Sequence, residues 1–507
     1  MIDAEDAVGR PGDHQSGHDV DTDVLVLGSG VAGSCAALAA AEAGARVVVI
    51  EPADAPGGHS KLSTGVFMAG GGDRRSGEAF MRDYLNVVRQ AVGPDAVRTY
   101  VEHSRATVDW LGDHGVGFHD EAISGGNAVE RRSLVAVDFG AGMMASIASA
   151  LDKASVTTVL RHRATELLQE QGRICGARVR GPSGEDEIRA GSVVLATGGF
   201  GADPERLAEY YPSAAACGDW LWNAGHEHNR GDGLQMAIDA GARVVGHDRG
   251  LRVLHADFVR SIEATIPGWV ILVDAQGRRY VDETSQYGML AHRTGDVGDR
   301  AWAILDAKAL ATTEGQAADG VADYVQGIPG IARRRSVNFG PAMMREQLAS
   351  GKAASADTIG ELADAVGLPA DQLTATVRQY NDGSRRRTDS LGKRPEFLRP
   401  LDRPPYLAVE VRPATLVYTA CGPAIDDSGR VLDRLGDPIA GLWAAGEVTG
   451  GVLGDLYVGS GSAIGAAATI GRMAGSSAAS SALAGESAGG SPAGRGGSPS
   501  PGDPEDG

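Results

Sequence analysis

Cysteine is scarce in this chain, and its four copies, Cys35, Cys175, Cys217 and Cys421, lie far apart in 507 residues. None falls in a CxxC or CxxCH spacing, which argues against zinc, attached haem, an iron–sulfur cluster or a disulfide scaffold, so no metal is expected. A reducing, cytoplasmic setting fits that usage. Basic charge is also short: 47 Lys and Arg stand against 66 Asp and Glu, a formal charge of -19. There is no basic stripe, and neither nucleic acid nor an anionic membrane is expected as a partner. No run of about 18 apolar residues occurs, and the N-terminus shows neither a basic-then-apolar signal segment nor a twin arginine. The reading is therefore a soluble protein without a membrane span.

What is abundant is glycine, with 73 copies, in a chain that is 42% hydrophobic and long enough for two or three domains. Residues 23–51 read without a gap as strand, glycine-rich turn, helix and strand. Val24 to Leu27 form an apolar run suited to a buried parallel strand. Gly28, Gly30 and Gly33 follow in the order GxGxxG. The first permits a tight turn, the second lets backbone approach a pyrophosphate, and the third lets the helix lie close on the strand. The helix N-terminus would face that diphosphate with unpaired N–H groups and its positive dipole end. Glu51 closes the second strand, where an acid accepts hydrogen bonds from a ribose 2′-hydroxyl. The fold class is thus α/β, with a Rossmann-like dinucleotide-binding domain.

Residues 1–21 read as a disordered lead-in and 476–507 as a flexible Gly/Ser/Pro-rich tail. The nucleotide domain takes residues 22–245 and resumes over 406–475, and residues 246–405 form an inserted α+β cap. Helical periodicity marks 78–110, 138–151, 358–366, 373–381 and 461–474. Strand character marks 156–163, 173–180, 187–196 and 406–411. Two strands run into glycines, at LATGGFGAD and at AAGEVTGG, the carboxyl-end position where ligands sit in open α/β sheets. The stretch 217–233, with Trp220, Trp222, His226 and His228, reads as a loop packed on the sheet, with a wall of the substrate pocket as the alternative, and Arg333 to Arg335 as a solvated face.

The motifs GSGVAG with Glu51, PGGHSKLSTGV, LATGGFGAD, GRRYVDET, DTIGELA, QYND and AAGEVTGGV occur in an order that resembles the FAD-binding-2 superfamily. This superfamily holds the flavoproteins of fumarate reductase and succinate dehydrogenase and the 3-ketosteroid Δ1-dehydrogenases. The resemblance implies a glutathione-reductase-like FAD domain, with a small-molecule substrate held between flavin and cap and an external electron acceptor or donor. It places Gly57, Gly58, Ser63 and Gly65 along the diphosphate and isoalloxazine, Ala164, Thr197 and Gly198 towards the adenosine half, and Glu447 on the ribitol side. The helix that begins near Gly461 and Ser462 would aim its N–H groups at the flavin. His59 precedes Gly65 by six residues, the spacing of the covalent histidyl-FAD of succinate dehydrogenase. Soluble fumarate reductases and ketosteroid dehydrogenases bind FAD noncovalently, so both modes stay open.

Fumarate reductases clamp a dicarboxylate with arginines at two places, for which planar bidentate donors are suited. In this chain those places carry Tyr287, four residues after Glu283, and Tyr457 in GGVLGDLY. The ketosteroid dehydrogenases have tyrosines there, followed by a glycine whose N–H helps hold the substrate carbonyl, and Gly461 matches it. This similarity implies an apolar ketone as substrate, with Tyr287 as α-carbon base, Tyr457 and Gly461 holding the carbonyl, and hydride passing to flavin N5. A further tyrosine of the steroid enzymes has no match in 115–138, where Phe118 and His119 stand. A fumarate-reductase-like enzyme reducing an activated C=C bond and a flavin-binding protein without turnover are the alternatives.

Overall fold

The computed structural model describes residues 21–70, 74–88, 92–120, 122–124, 131–258, 266–311, 339–454 and 456–484. The lead-in over 1–20, the arginine run at 333–335 and the tail from 485 lie outside them.

Apolar β-branched runs build the larger sheet. Thr22–Leu27 pairs in parallel with Val47–Glu51 on one side and Gly184–Leu195 on the other, in a register that sets Val26 beside Val49 and Val194. Thr157–Leu160 and Pro438–Ala444 extend the parallel array at its two ends. The strand Arg163–Glu170, which the sequence reading left without an element, forms an antiparallel hairpin with Arg173–Gly181. Its exposed positions, Thr165, Glu166 and Gln169, leave Leu167 and Leu168 as an apolar run too short to stand out.

Helix Val31–Glu42 packs on this sheet beside the last helix, Ser462–Leu483. Both are rich in small residues, and their backbones meet: a β-carbon on Gly471 would lie 2.3 Å from the Ala32 carbonyl oxygen, and one on Gly475 2.0 Å from that of Ala36. The last helix therefore runs well past Ala474, burying Ala478 and Ala479. The first residues of the stretch expected to be flexible are helical, because this contact continues along them. The segment expected as one helix over 78–110 is two, Arg74–Val87 and Pro94–Asp113, divided ahead of Gly93 and Pro94, since proline opens a helix and does not continue one.

A second, mixed sheet has the long strand Tyr406–Thr419 at its centre, paired with Ala301–Asp306, Gly250–His255, Ala354–Ala356 and Trp222–Asn223. Alternate residues face two cores: Leu272, Ala303 and Leu305 on one side, Ile271, Val273 and Ile304 on the other. The expected return at Tyr406 does not coincide with a change of sheet, which comes beyond Thr419, and Trp222–Asn223 joins this sheet from the segment before 246. No helix among the described residues is long and apolar enough to cross a membrane.

Candidate active site

The carboxyl ends of the parallel strands open into a cleft that runs to the second sheet. At its first end Gly28 holds a φ of +106°, and a β-carbon there would lie 2.3 Å from the Ala196 carbonyl oxygen. Gly33 meets the Gly28 carbonyl oxygen at 1.9 Å in the same sense. Gly30 differs: as N-cap of the first helix it has φ -63° and ψ 178°, and its β-carbon would find only the Ser60 hydroxyl, at 3.5 Å. Protein packing does not demand glycine at 30, so the cradle it leaves suits a ligand lying against the helix terminus. Across the cleft the Thr197 hydroxyl is buried with no partner among the described residues, as a group awaiting a bound acceptor or donor would be.

Glu51 is buried and lines the cleft. Its carboxylate accepts from Ser29 N–H at 3.0 Å, the Ser29 hydroxyl at 2.6 Å and Ala53 N–H at 2.9 Å. Three donors leave about one lone-pair position of four for a ribose hydroxyl. Gly58 approaches Gly30, with 3.6 Å from its would-be β-carbon to the Gly30 Cα. Next to it His59 Nδ1 stands 3.6 Å from Glu447 Oε2. Glu447 is itself fixed by Thr419 N–H at 3.0 Å, the Thr419 hydroxyl at 3.1 Å and the Asn229 amide at 3.4 Å. None of these supporting side chains was legible, because they arrive from strands and loops about 30 and 220 residues away.

The cleft also receives Ser63, Ala164 and Gly198 from the expected set. Four expected residues stand behind its lining: Gly33, Gly57, Gly65 and Ser462. Gly57 N–H donates to the Ser29 hydroxyl at 3.1 Å, a β-carbon on Gly65 would meet Phe139 at 2.4 Å, and the buried Ser462 hydroxyl donates to the Gly459 carbonyl at 2.9 Å. These residues shape the turns that carry the lining. His226 and His228 line the cleft, the alternative to a loop packed on the sheet.

At the far end Tyr287 and Tyr457 come together from segments 170 positions apart. Tyr287 opens the helix Tyr287–Asp296, whose N-cap Gln286 accepts from Gly288 and Met289 N–H at 2.8 and 3.2 Å. The two rings have centroids 6.1 Å apart at an angle of 36°. The Tyr287 hydroxyl is 3.2 Å from the Ser460 hydroxyl, and Ser460 is held through its carbonyl by the Ser133 hydroxyl at 2.8 Å. Tyr457 is buried, and its oxygen accepts from Ala463 N–H at 3.3 Å. Burial pushes its phenol up, and the Ser462 hydroxyl and the Ala463 and Gly461 N–H groups oppose that only in part. Gly461 sits at φ +95° as N-cap of the last helix, with a would-be β-carbon 2.6 Å from Met68 N. Leu251, Val253 and Val417 supply apolar wall.

The comparisons fit this geometry. The chain is 30% identical over 480 residues to a fumarate reductase (cytochrome) of Shewanella frigidimarina, covering 91% of this chain and 77% of that protein. It is 26% identical over 572 residues to a 3-oxosteroid 1-dehydrogenase of Mycobacterium tuberculosis, covering 89% and 97%. Among solved structures, the 3-ketosteroid-Δ4-(5α)-dehydrogenase of Rhodococcus jostii in complex with 4-androstene-3,17-dione superposes with a TM-score of 0.75 at 25% identity, covering 91% and 98%. Residues 23–464, from the first strand to the start of the last helix, match the FAD binding domain family. With a glycine turn, buried acid and cradle fit for a dinucleotide, and a match across nearly all its described residues, the chain belongs to this family of FAD-dependent oxidoreductases, and FAD is its cofactor.

Proposed function

We propose that the protein interconverts a cyclic, largely apolar ketone and its α,β-unsaturated counterpart. The observation that carries this reading is the tyrosine pair, Tyr287 beside Tyr457 in the cleft, walled by Leu251, Val253 and Val417. Among the described lining residues Arg163 is the one lysine or arginine, and Asp232 and His228 engage it. That leaves no lining cation to pair with a dicarboxylate.

Bound FAD supplies the two-electron acceptor for the hydrogen on the β-carbon. Tyr457 keeps its proton, since burial holds its phenol above the ordinary value. A hydroxyl whose oxygen accepts from a helix terminus is polarised into a stronger donor. It and Gly461 N–H, a donor that the ketone oxygen would share with the Tyr457 oxygen, hold the ketone oxygen and stabilise the developing enolate, an effect worth about 3–4 kcal/mol per donor. Tyr287, oriented through Ser460, takes the α-proton as the phenolate and, once protonated, returns it in the reverse direction. In reverse the same groups reduce an enone. Reduction of an activated double bond of an acid is the second reading, favoured by the 30% identity to a fumarate reductase; the absence of an unengaged lysine or arginine among the described lining residues sets it behind.

The experiment is anaerobic flavin bleaching of the purified protein with 3-ketosteroids and smaller cyclohexanones, and with succinate as control. Reoxidation of the dithionite-reduced protein by enones and by fumarate tests the other direction. Ketones or enones should react and the dicarboxylates should not. Turnover of fumarate or succinate alone supports the second reading, and no reaction with any compound supports a flavoprotein without turnover on these classes.

A further inference from the structure

Residues 224–231, between the strand Trp222–Asn223 and the helix Asp232–Asp239, run along the cleft from His59 to Arg163. A β-carbon on Gly225 would stand 3.6 Å from the His59 ring. At the other end Arg163 bonds Asp232 through one guanidinium nitrogen, while the other lies 2.9 Å from His228 Nδ1. Arginine carries only donors, so His228 Nδ1 is an acceptor and the ring proton sits on Nε2. The His228 backbone N–H donates to Nδ1 of His226 at 3.3 Å, which fixes the same tautomer there. Burial, with His228 and Lys61, holds His226 below the ordinary imidazole value, and Glu51 and Glu227 oppose this. The rings lie 5.2 Å apart, tilted by 31°. Both line the cleft, whose wall here also includes Glu51 and Ala164. Each has Nδ1 spent on the protein and Nε2–H as its remaining donor.

We propose that this loop grips the adenosine diphosphate half of FAD, with the Nε2–H groups of His226 and His228 donating to its phosphate oxygens and purine nitrogens. That half of the cofactor offers acceptors along its length, and a wall of uncharged donors meets them without placing a second cation beside Arg163. The role concerns cofactor retention and is independent of the ketone chemistry.

The test reads FAD release from the holoenzyme by the rise in flavin fluorescence on dilution. All variants are made on His59→Asn, so that no bond from His59 to the flavin masks release. His226→Phe and His228→Phe keep a ring and lose the donor, whereas His226→Gln and His228→Gln keep an N–H at a similar reach. Each Phe variant should release FAD about tenfold faster, the loss of roughly one hydrogen bond, and the Gln variants should stay near the parent. ADP should slow FAD rebinding to the parent and the Gln variants at about tenfold lower concentration than to the Phe variants. Leucine at either position carries the same test should the larger ring disturb packing. Release at the parental rate in the Phe and Leu variants, or ADP competing equally in all of them, would overturn the assignment.

Discussion

Alanine at Gly30 separates the needs of the protein from those of the cofactor. The backbone at 30 is in an ordinary extended conformation, and the new methyl would touch only the Ser60 hydroxyl at 3.5 Å. Alanine is a poorer N-cap than glycine, which costs the helix no more than about 1 kcal/mol. The neighbouring glycines offer no such test: at Gly28 and Gly33 the methyl would strike backbone carbonyl oxygens at 2.3 and 1.9 Å, so those variants damage the fold itself. On the ligand side, a methyl between the helix terminus and a diphosphate costs about 1–3 kcal/mol in overpacking. One charge-assisted hydrogen bond lost adds about 1.5–3 kcal/mol. The sum is about 2.5–6 kcal/mol, at least about seventyfold in FAD affinity. Gly30→Ala should therefore purify nearly colourless, by its 450 nm to 280 nm absorbance ratio, with an unchanged far-ultraviolet spectrum. A Gly30→Ala protein that carries full flavin would refute the placement of the diphosphate at this turn.

Other consequences are as direct. Tyr457→Phe should weaken ketone binding and slow turnover together, by about 3 kcal/mol or some 150-fold in kcat/KM, because the lost donor serves ground state and enolate alike. Acid precipitation of the holoenzyme should leave the flavin in the supernatant, with His59 acting as partner of Glu447; flavin in the pellet, lost in His59→Asn, would establish a histidyl bond instead. A buried ionic cluster joins Arg279, Glu283, Lys393 and Asp389, with Glu283 and Lys393 wholly buried and 2.9 Å apart. Burial pushes the Glu283 carboxyl up, but Lys393 and Arg279 draw it below the usual range on balance, and Arg279 does the same for Asp389. Groups depressed in the native state contribute stability that is present above the unfolded carboxylate values of about 4 and is lost as pH falls through the native ones. The melting temperature should drop on acidification below pH about 4, and Lys393→Met should cost about 3–5 kcal/mol at neutral pH; a flat melting temperature down to pH about 2 would contradict this.

The nucleotide turn was legible because its signal is local: strand, glycines, helix and Glu51 follow one another within 30 residues. The capping of the helix Ile359–Val366 by Thr358 and Glu361 is of the same kind. Strand Tyr406–Thr419 was legible only at its start, because its second half, paired with Trp222–Asn223 and Gly250–His255, buries four successive residues from Pro413 to Leu416 and shows no alternation. Tyr287 and Tyr457 could be named as candidates, but that they share one cleft end is a property of the two-sheet arrangement. The clamp of Thr419 and Asn229 on Glu447, the contact of Ser460 with Tyr287 and the entry of His226 and His228 into the cleft depend on distant chain crossings that leave no mark on spacing.

The central claim is that Tyr287 moves the α-proton of the ketone, with bound FAD as the two-electron acceptor. Tyr287→Phe keeps the ring and its packing against Tyr457 and removes only the hydroxyl that meets Ser460. Stopped-flow flavin bleaching with a reactive cyclic ketone should then be slower by about 10²-fold or more, the usual share of a positioned acid–base group, at unchanged FAD content and nearly unchanged ketone affinity. Bleaching at the wild-type rate in Tyr287→Phe, with any ketone that reduces the wild-type flavin, would contradict the account.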